Sequence, residues 1–297
     1  MRALRFVTAL GALLLAAPVL AQTPIAGHYP PGQSGIRGAA TPRVGWSVTN
    51  FNRFFSNLEA KGPDGSTTGT VDEVRYANIT MVTVVTNYRV LGLHYGVLAG
   101  FPFATGNLNP SADELASKGF GPGDILVTPV SLYGKQGPWD YQFQFTLWSS
   151  SGRFSPGGKD NRGAGYESLV YSVGGAWYPG RDRQDWSVSA VARFGQNFEQ
   201  SETGITPGDD VVIDWGVGKG LGRAEVGASG FATYQLSHQS GGTPLPDNSL
   251  YRYYGIGPEA RYRPWEHWTF TARAHFEFET RNAVQGNNLW LIANYAH

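Results

Sequence analysis

Residues 268–278 read Trp-Thr-Phe-Thr-Ala-Arg-Ala-His-Phe-Glu-Phe. Trp268, Phe270, Ala272, Ala274, Phe276 and Phe278 share one parity, and Thr269, Thr271, Arg273, His275 and Glu277 share the other. Successive side chains of a β-strand point to opposite faces of its sheet, so this stretch is a strand with one apolar face and one polar face. The polar face carries full charges in mid-strand, which rules out a strand buried on both sides.

The same alternation recurs outward from this segment. In 139–148, Trp139, Tyr141, Phe143, Phe145 and Leu147 oppose Asp140, Gln142, Gln144 and Thr146. In 186–197, Trp186, Val188, Ala190, Ala192 and Phe194 oppose Ser187, Ser189, Arg193, Gly195 and Asn197, with Val191 the one apolar residue on the polar parity. The full reading places strands near 43–55, 74–86, 89–101, 124–133, 139–150, 167–178, 185–197, 210–218, 223–236, 251–263, 267–279 and 288–296. Connections alternate between short turns (87–88, 134–138, 179–184, 219–222, 264–266) and long loops (56–73, 102–123, 151–166, 198–209, 237–250, 280–287). Gly, Pro and Asn mark most of the short ones.

Short turns on one rim, long loops on the other and an even strand number predict an all-β fold. Specifically, they predict a transmembrane antiparallel up-and-down β-barrel of about 12 strands in a bacterial outer membrane. Trp46, Trp139, Trp177, Trp186, Trp265 and Trp268, with Tyr88, Tyr178 and Tyr262, fall near the short-turn rim as an aromatic girdle. Hydrocarbon offers no partner for backbone N–H and C=O groups, so strands cross it only as a closed ring. The competing architecture is a soluble β-sandwich or barrel with its apolar faces turned inward. Twelve aromatic-rich faces would overfill such a core and force Arg, Glu and His outward.

Composition agrees. Gly reaches 40 of 297 residues, against a usual share of roughly 7%. Charged residues are 15% of the chain, and 23 basic residues balance 23 acidic ones. No basic stripe is present, which argues against nucleic acid as a partner. Arg2 and Arg5, the apolar run 6–15 and Val19-Leu20-Ala21 read as a signal peptide over 1–21. Its removal takes two Arg and no acid, leaving a nearly neutral chain. The chain has no Cys, so in an oxidising compartment it relies on packing and backbone pairing instead of disulfides. No apolar run is long enough for a transmembrane helix. Residues 22–42, rich in Pro and Gly, resist strand pairing. They are expected to be either a periplasmic tail or a lumen plug in which His28 and Tyr29 reach polar walls, with 43–297 forming the barrel. Ser111–Lys118 is expected to form a short loop helix, since Ser111 and Glu114 are spaced as a capping box.

Alternation assigns His94, Gln142, Gln144, Arg193, Asp214, Glu225, Glu259, Arg261, Arg273, His275 and Glu277 to the lumen, together with Asp140, Arg223 and Glu279. Buried charges of both signs are expected to pair, bracing the interior or contacting a passing solute. No G-x-S-x-G, H-E-x-x-H or phosphate-loop spacing occurs, and Gly216–Gly220 reads as a Gly-rich turn. Asp72-Glu73 and Asp209-Asp210 lack calcium-loop spacing and read as solvated loop acids. No cofactor, metal site or catalytic residue is expected.

Gly27-His28-Tyr29-Pro30-Pro31-Gly32 followed by Gly35-Ile36 resembles the mature start of the phenol meta-pathway degradation family of outer-membrane transporters. Gly121-Pro122-Gly123-Asp124-Ile125 with Pro129, Gly257-Pro258 with Tyr262, and Asn282 with Gly286 and Trp290 resemble its later landmarks. The resemblance implies an outer-membrane barrel that admits small hydrophobic or aromatic compounds. Its partners would be outer-membrane lipid, that solute and the barrel-insertion machinery. Chains of this kind usually end on an aromatic residue, whereas this one ends Tyr295-Ala296-His297. Two other functions stay open: a structural or surface-interaction barrel with a closed lumen and, less favoured, an outer-membrane hydrolase built near His94 or His275.

Overall fold

The computed structural model describes residues 24–105, 120–158, 160–180, 183–242 and 249–297, without the side chains at 57, 58 and 71–73. The signal-peptide assignment and the Ser111–Lys118 helix therefore lie outside the described residues. The strands are β1 Gly45–Lys61, β2 Thr67–Val90, β3 Leu93–Thr105, β4 Phe120–Pro122, β5 Leu126–Gln136, β6 Trp139–Trp148 and β7 Ser168–Trp177. They continue as β8 Trp186–Asn197, β9 Asp210–Leu221, β10 Ala224–Gln235, β11 Arg252–Tyr262, β12 Trp268–Arg281 and β13 Ala283–Ala296. Apart from β4, each pairs antiparallel with the preceding and following long strand, and β1 closes the ring on β13. β4 is a short piece beside the far end of β3, in line with β5, so the ring has 12 members. Closure leaves no edge strand, as a hydrocarbon setting demands. No described helix is long and apolar enough to cross a membrane; the crossing is made by strands.

The outward parity is a belt of exposed apolar side chains, among them Phe101, Phe143, Tyr171, Phe194, Ile256 and Leu291. The six Trp of the short-turn rim are exposed, with Tyr88 and Tyr262, as a girdle should be. Tyr178 departs from the expectation. It is 1% exposed and turns inward, donating to Asp140.

Several boundaries also differ from the sequence reading, each for a local reason. The β2–β3 turn is Leu91-Gly92 rather than Asn87-Tyr88, with φ of 53° and 82°, because a two-residue hairpin turn of this hand needs two positive φ values. The 56–73 and 280–287 loops are mostly strand: β1 and β2 extend to Lys61 and Thr67, and only Asn282 separates β12 from β13. Those residues are too polar to look like membrane strand, yet beyond the belt water suits their side chains. A bulge sets three steps on β12, Phe278 to Arg281, against two on β11, and flips Glu279 outward. Arg223 is an exposed turn residue and donates to the Pro264 carbonyl. Gly216–Gly220 lies within β9. Asp210 is a buried strand residue rather than a solvated loop acid.

One part of the outer face breaks the apolar rule. Asn50 and Asn52 on β1 and Asn78 and Thr80 on β2 share the outward parity of Phe54 and Val82. Their amides bond one another: Asn50 donates to Asn78 (3.2 Å) and Thr80 (2.9 Å), Asn52 to Asn50 (2.7 Å), and Asn78 to Asn52 (3.0 Å), with Tyr76 Oη donating to Asn52 (2.7 Å). Mutual satisfaction lowers the cost of holding these groups against lipid.

Candidate functional site

Residues 24–42 run through the lumen as an irregular strap. Pro30 and Pro31 lack N–H groups and Gly27, Gly32, Gly35 and Gly38 disfavour a regular strand, so the strap's free backbone groups need partners from the wall. The wall supplies them in order from the long-loop rim to the short-turn rim. At the long-loop end Tyr166 Oη donates to the Ala26 carbonyl (2.6 Å) and Gly27 N donates to Tyr251 Oη (3.2 Å). Burial first, and the nearby Asp210 second, push both phenols well above their usual pKa, so they stay neutral. His28 sits between Ser168 Oγ (2.7 Å) and Asp124 Oδ2 (3.2 Å), with its ring stacked on Trp148 at 5.3 Å.

The middle of the strap is held by charge. Asp214 of β9 accepts from Tyr29 Oη (2.8 Å), Gly32 N (2.8 Å), Ser34 N (3.0 Å) and Arg193 Nη1 (3.1 Å). The Arg193 guanidinium lies over the Tyr29 ring, 4.1 Å from its centroid, and also donates to Ser34 Oγ (2.7 Å). Glu259 of β11 accepts from Ile36 N (3.0 Å) and from Arg273 Nε (2.8 Å), while Arg273 Nη1 donates to the carbonyls of Gly32 (2.6 Å) and Gln33 (2.8 Å). Hydrogen bonds to charged groups contribute about 1.5–3 kcal/mol each. A carboxylate and a guanidinium that are both paired and fully hydrogen-bonded also avoid the large penalty of lone buried charge.

Near the short-turn rim Arg37 pairs with Glu225 (2.7 Å), which Arg261 also meets (2.9 Å). Ala39 N donates to Ser189 Oγ (3.0 Å) and Thr41 N to Asp140 Oδ2 (3.0 Å). Val191, the apolar exception on β8, is explained here: it packs with Ala39, Ala176 and Tyr178. The β9 glycines are explained too. A Cβ on Gly216 would come within 2.3 Å of Ile36 N, and one on Gly218 within 2.6 Å of Ile36 Cγ2. They are flat so that the strap can lie on them.

The charge-held middle of the strap thus lies on β8–β12, while its two ends reach β5–β7 through His28, Ala39 and Thr41, so only the mid-lumen wall of β2, β3 and β5–β7 is left facing a gap. Between them is a cavity of about 160 Å³. Met81, Leu98, Leu126, Trp148 and Val170 form its apolar side. Gln142, Gln144 and Arg193 with the strap's Tyr29, Gln33 and Ser34 form the polar side. A smaller cavity follows toward the long-loop rim, bounded by His28, Pro30, Ile79, Trp148, Trp290 and Arg53. Trp148 borders both.

The residues singled out by alternation therefore divide by role. Asp214, Glu225, Glu259, Arg261 and Arg273 belong to the strap's anchoring, and Gln142, Gln144 and Arg193 border the cavity. Glu277 accepts from Gly286 N (2.8 Å) and Asn288 Nδ2 (2.9 Å). His94 stays at the short-turn end of β3, receiving a hydrogen bond from Arg89 (2.9 Å) and meeting the Thr86 carbonyl (3.1 Å), away from the cavities. The apolar inward set and the lumenal Arg53 and Arg75 escaped the sequence reading. In β6 the signal was available, because Trp148 sits on the polar parity of Gln142 and Gln144. The β1 and β2 patterns are blurred by the outward amides.

His275 Nε2 lies 3.0 Å from Ser229 Oγ, a pairing found in hydrolases. The ring is fully buried, its Nδ1 has no hydrogen-bond partner, and Gly32 of the strap presses against it. Among the described residues no carboxylate orients the ring, so the pair lacks the third member that a triad requires.

Residues 27–292 match the family described as "Putative MetA-pathway of phenol degradation". The chain belongs to that family. The family's match begins at Gly27 in the strap and reaches Ile292 in β13, so strap and barrel are both included. Among solved structures, the chain is similar to an outer membrane channel from Pseudomonas putida F1, with a TM-score of 0.70 at 11% identity over 91% of this chain and 100% of that one. Lower similarity extends to the Pseudomonas putida toluene transporter TodX, with a TM-score of 0.43 at 8% identity over 92% and 95% of the two chains. It extends likewise to a Pseudomonas aeruginosa FadL homologue, with a TM-score of 0.41 at 11% identity over 93% and 100%. At these identities the likeness concerns the fold, which is that of an outer-membrane barrel. No curated protein gives a significant match.

Proposed function

We propose that this barrel is an outer-membrane channel for small hydrophobic or aromatic compounds, with the strap of residues 24–42 as its lumenal constriction. The observation that carries the reading is the cavity of about 160 Å³ between the strap and the mid-lumen wall, lined on one side by Trp148, Met81, Leu98, Leu126 and Val170. An apolar protein cavity of roughly 150 Å³ holds one benzene molecule. The family's link to phenol degradation points to the same solute class. The belt and girdle support outer-membrane lipid as its surroundings and the barrel-insertion machinery as its assembly partner.

The test is flux in reconstituted liposomes. The wild-type barrel is expected to admit toluene or phenol faster than an arabinose-sized sugar, and removal of residues 24–42 is expected to raise the flux of both. The extent of the strap's anchoring favours one second reading, a structural barrel with a permanently closed lumen. Single-channel conductance near zero, unchanged by strap deletion, would establish that reading and overturn the channel.

A further inference from the structure

One side chain of the strap crosses to the opposite wall of the lumen. Gln33 is buried, 8% exposed, and its Nε2 donates to the thioether sulfur of Met81 on β2 at 3.3 Å. Both residues line the cavity of about 160 Å³. The Gln33 backbone is fixed on both sides: Gly32 N and Ser34 N donate to the two oxygens of Asp214, and Arg273 donates to the Gln33 carbonyl. Its flexible side chain is therefore a lever on a rigid hinge.

The partner at the end of that lever is a poor one, because a thioether sulfur is a weak acceptor. Other glutamines of the barrel give their amides to oxygen. Gln144 Nε2 donates to Tyr133 Oη (2.9 Å), Gln200 to the Ala164 carbonyl (2.6 Å) and Gln235 to the Ser237 carbonyl (2.9 Å). Other donors on the cavity wall are likewise committed to oxygen: Tyr29 to Asp214, Arg193 to Asp214 and Ser34, and Gln142, over a long 3.5 Å, to the Gly38 carbonyl. Among these donors the Gln33 amide loses least by changing partner.

We propose that Gln33 sets which aromatic solutes the cavity accepts: its amide rests on Met81 and transfers to an acceptor atom carried by an entering ring. The inference rests on the channel reading for its physiological use and names a solute class within it, small aromatics that bear a hydrogen-bond acceptor. The exchange replaces an N–H···S contact by a stronger bond to oxygen or nitrogen, and it frees the sulfur to meet the ring, a favourable contact of its own. A pure hydrocarbon offers the amide nothing, so it either leaves Gln33 on Met81 or strands a buried donor. Asp214 and Arg273 pin the hinge, so the side chain can swing while the strap stays in place.

The test uses the full barrel in detergent, with pyridine as probe and benzene as its counterpart of the same shape without an acceptor, read by calorimetry at a pH where pyridine is neutral. Gln33→Met keeps the length of the side chain and removes the donor. It is expected to weaken pyridine binding about fivefold and to leave benzene unchanged or tighter. Met81→Leu removes the resting acceptor and is expected to tighten pyridine alone. Heat-modified gel mobility verifies that each variant is a folded barrel. Pyridine and benzene weakened by the same factor in folded Gln33→Met would overturn the proposal, since a merely structural role acts on both. So would unchanged pyridine binding in Gln33→Met, or pyridine weakened by Met81→Leu. Toluene flux through a barrel without Gln33-dependent pyridine binding sinks the exchange alone. Gln33-dependent pyridine binding in a barrel that conducts nothing, with or without the strap, sinks the channel and leaves the exchange standing.

Discussion

The two halves of the lumen use polar chemistry in opposite ways. On β8–β12, Arg193, Asp214, Glu259 and Arg273 are spent on one another and on the strap, so each of these four charges has a structural partner. On β2, β3 and β5–β7, the wall lines the cavity with Met81, Leu98, Trp148 and Val170, with uncharged Thr128 and Thr146 satisfying each other at 2.7 Å. The difference teaches where a solute can go. Moving along the charged half means breaking charge-assisted bonds, whereas moving along the cavity wall breaks none of them. Strap and path are thus two products of one asymmetry.

The sharpest way to break the comparison is to release the strap. Asp214→Ala removes the acceptor of four bonds and leaves Arg193 buried without its carboxylate, a loss of about 3–5 kcal/mol. The chain has no Cys, so a single Cys placed at Ser34 reports strap exposure cleanly. Its labelling by a membrane-impermeant maleimide is expected to be slow with Asp214 present and fast in Asp214→Ala. Labelling that is fast in both would show that the carboxylates do not hold the strap.

Next in size is Gly216→Val. Its side chain would occupy the space of Ile36 N and Gly35 C, so the strap must lift from β9 while the ring persists. Heat-modified gel mobility is expected to stay that of a folded barrel while conductance rises. A folded variant with wild-type conductance would mean that the strap tolerates the intrusion.

The cavity wall is challenged by Trp148→Ala, which opens the border between the two cavities and removes the stacking partner of His28. Aromatic flux is expected to rise with little change in barrel melting, since the strand's backbone ladder is untouched. A fall in aromatic flux with unchanged melting would instead make Trp148 a binding surface that solutes need.

The smallest effect is expected outside the lumen. Asn78→Leu removes amide bonds that face lipid and leaves Asn50 and Asn52 short of partners. In membranes such bonds average about 0.6 kcal/mol, so a modest loss of stability on unfolding from bilayers is expected, with no change in flux. A gain in stability would show that the cluster is kept for some reason other than holding β1 to β2.

Much of this molecule is written in parity. Segments 139–148, 186–197 and 268–278 declare strand, face and barrel because a lipid-facing sheet with a polar interior alternates strictly wherever its outer side carries no mutually satisfied polar groups. Parity failed where its physical basis lapses. Above the belt, water accepts polar groups on either face, so the first hairpin and the β12–β13 hairpin passed for loops. At Glu279 one inserted residue reversed the faces. On β1 and β2 the outward amides satisfy one another, which hid Arg53 and Arg75 among residues of similar polarity.

By itself the sequence determined the class of fold, the lipid-facing side of the clear strands and the rim to which the Trp residues belong, since each follows from chemistry repeated every second residue. Only the tertiary structure decided which wall the middle of the strap covers and which it leaves facing the cavity. The partners of Asp214, namely Tyr29, Gly32, Ser34 and Arg193, lie as far as 185 residues away along the chain. Such contacts exist only once the ring has closed and brought distant segments around a common interior.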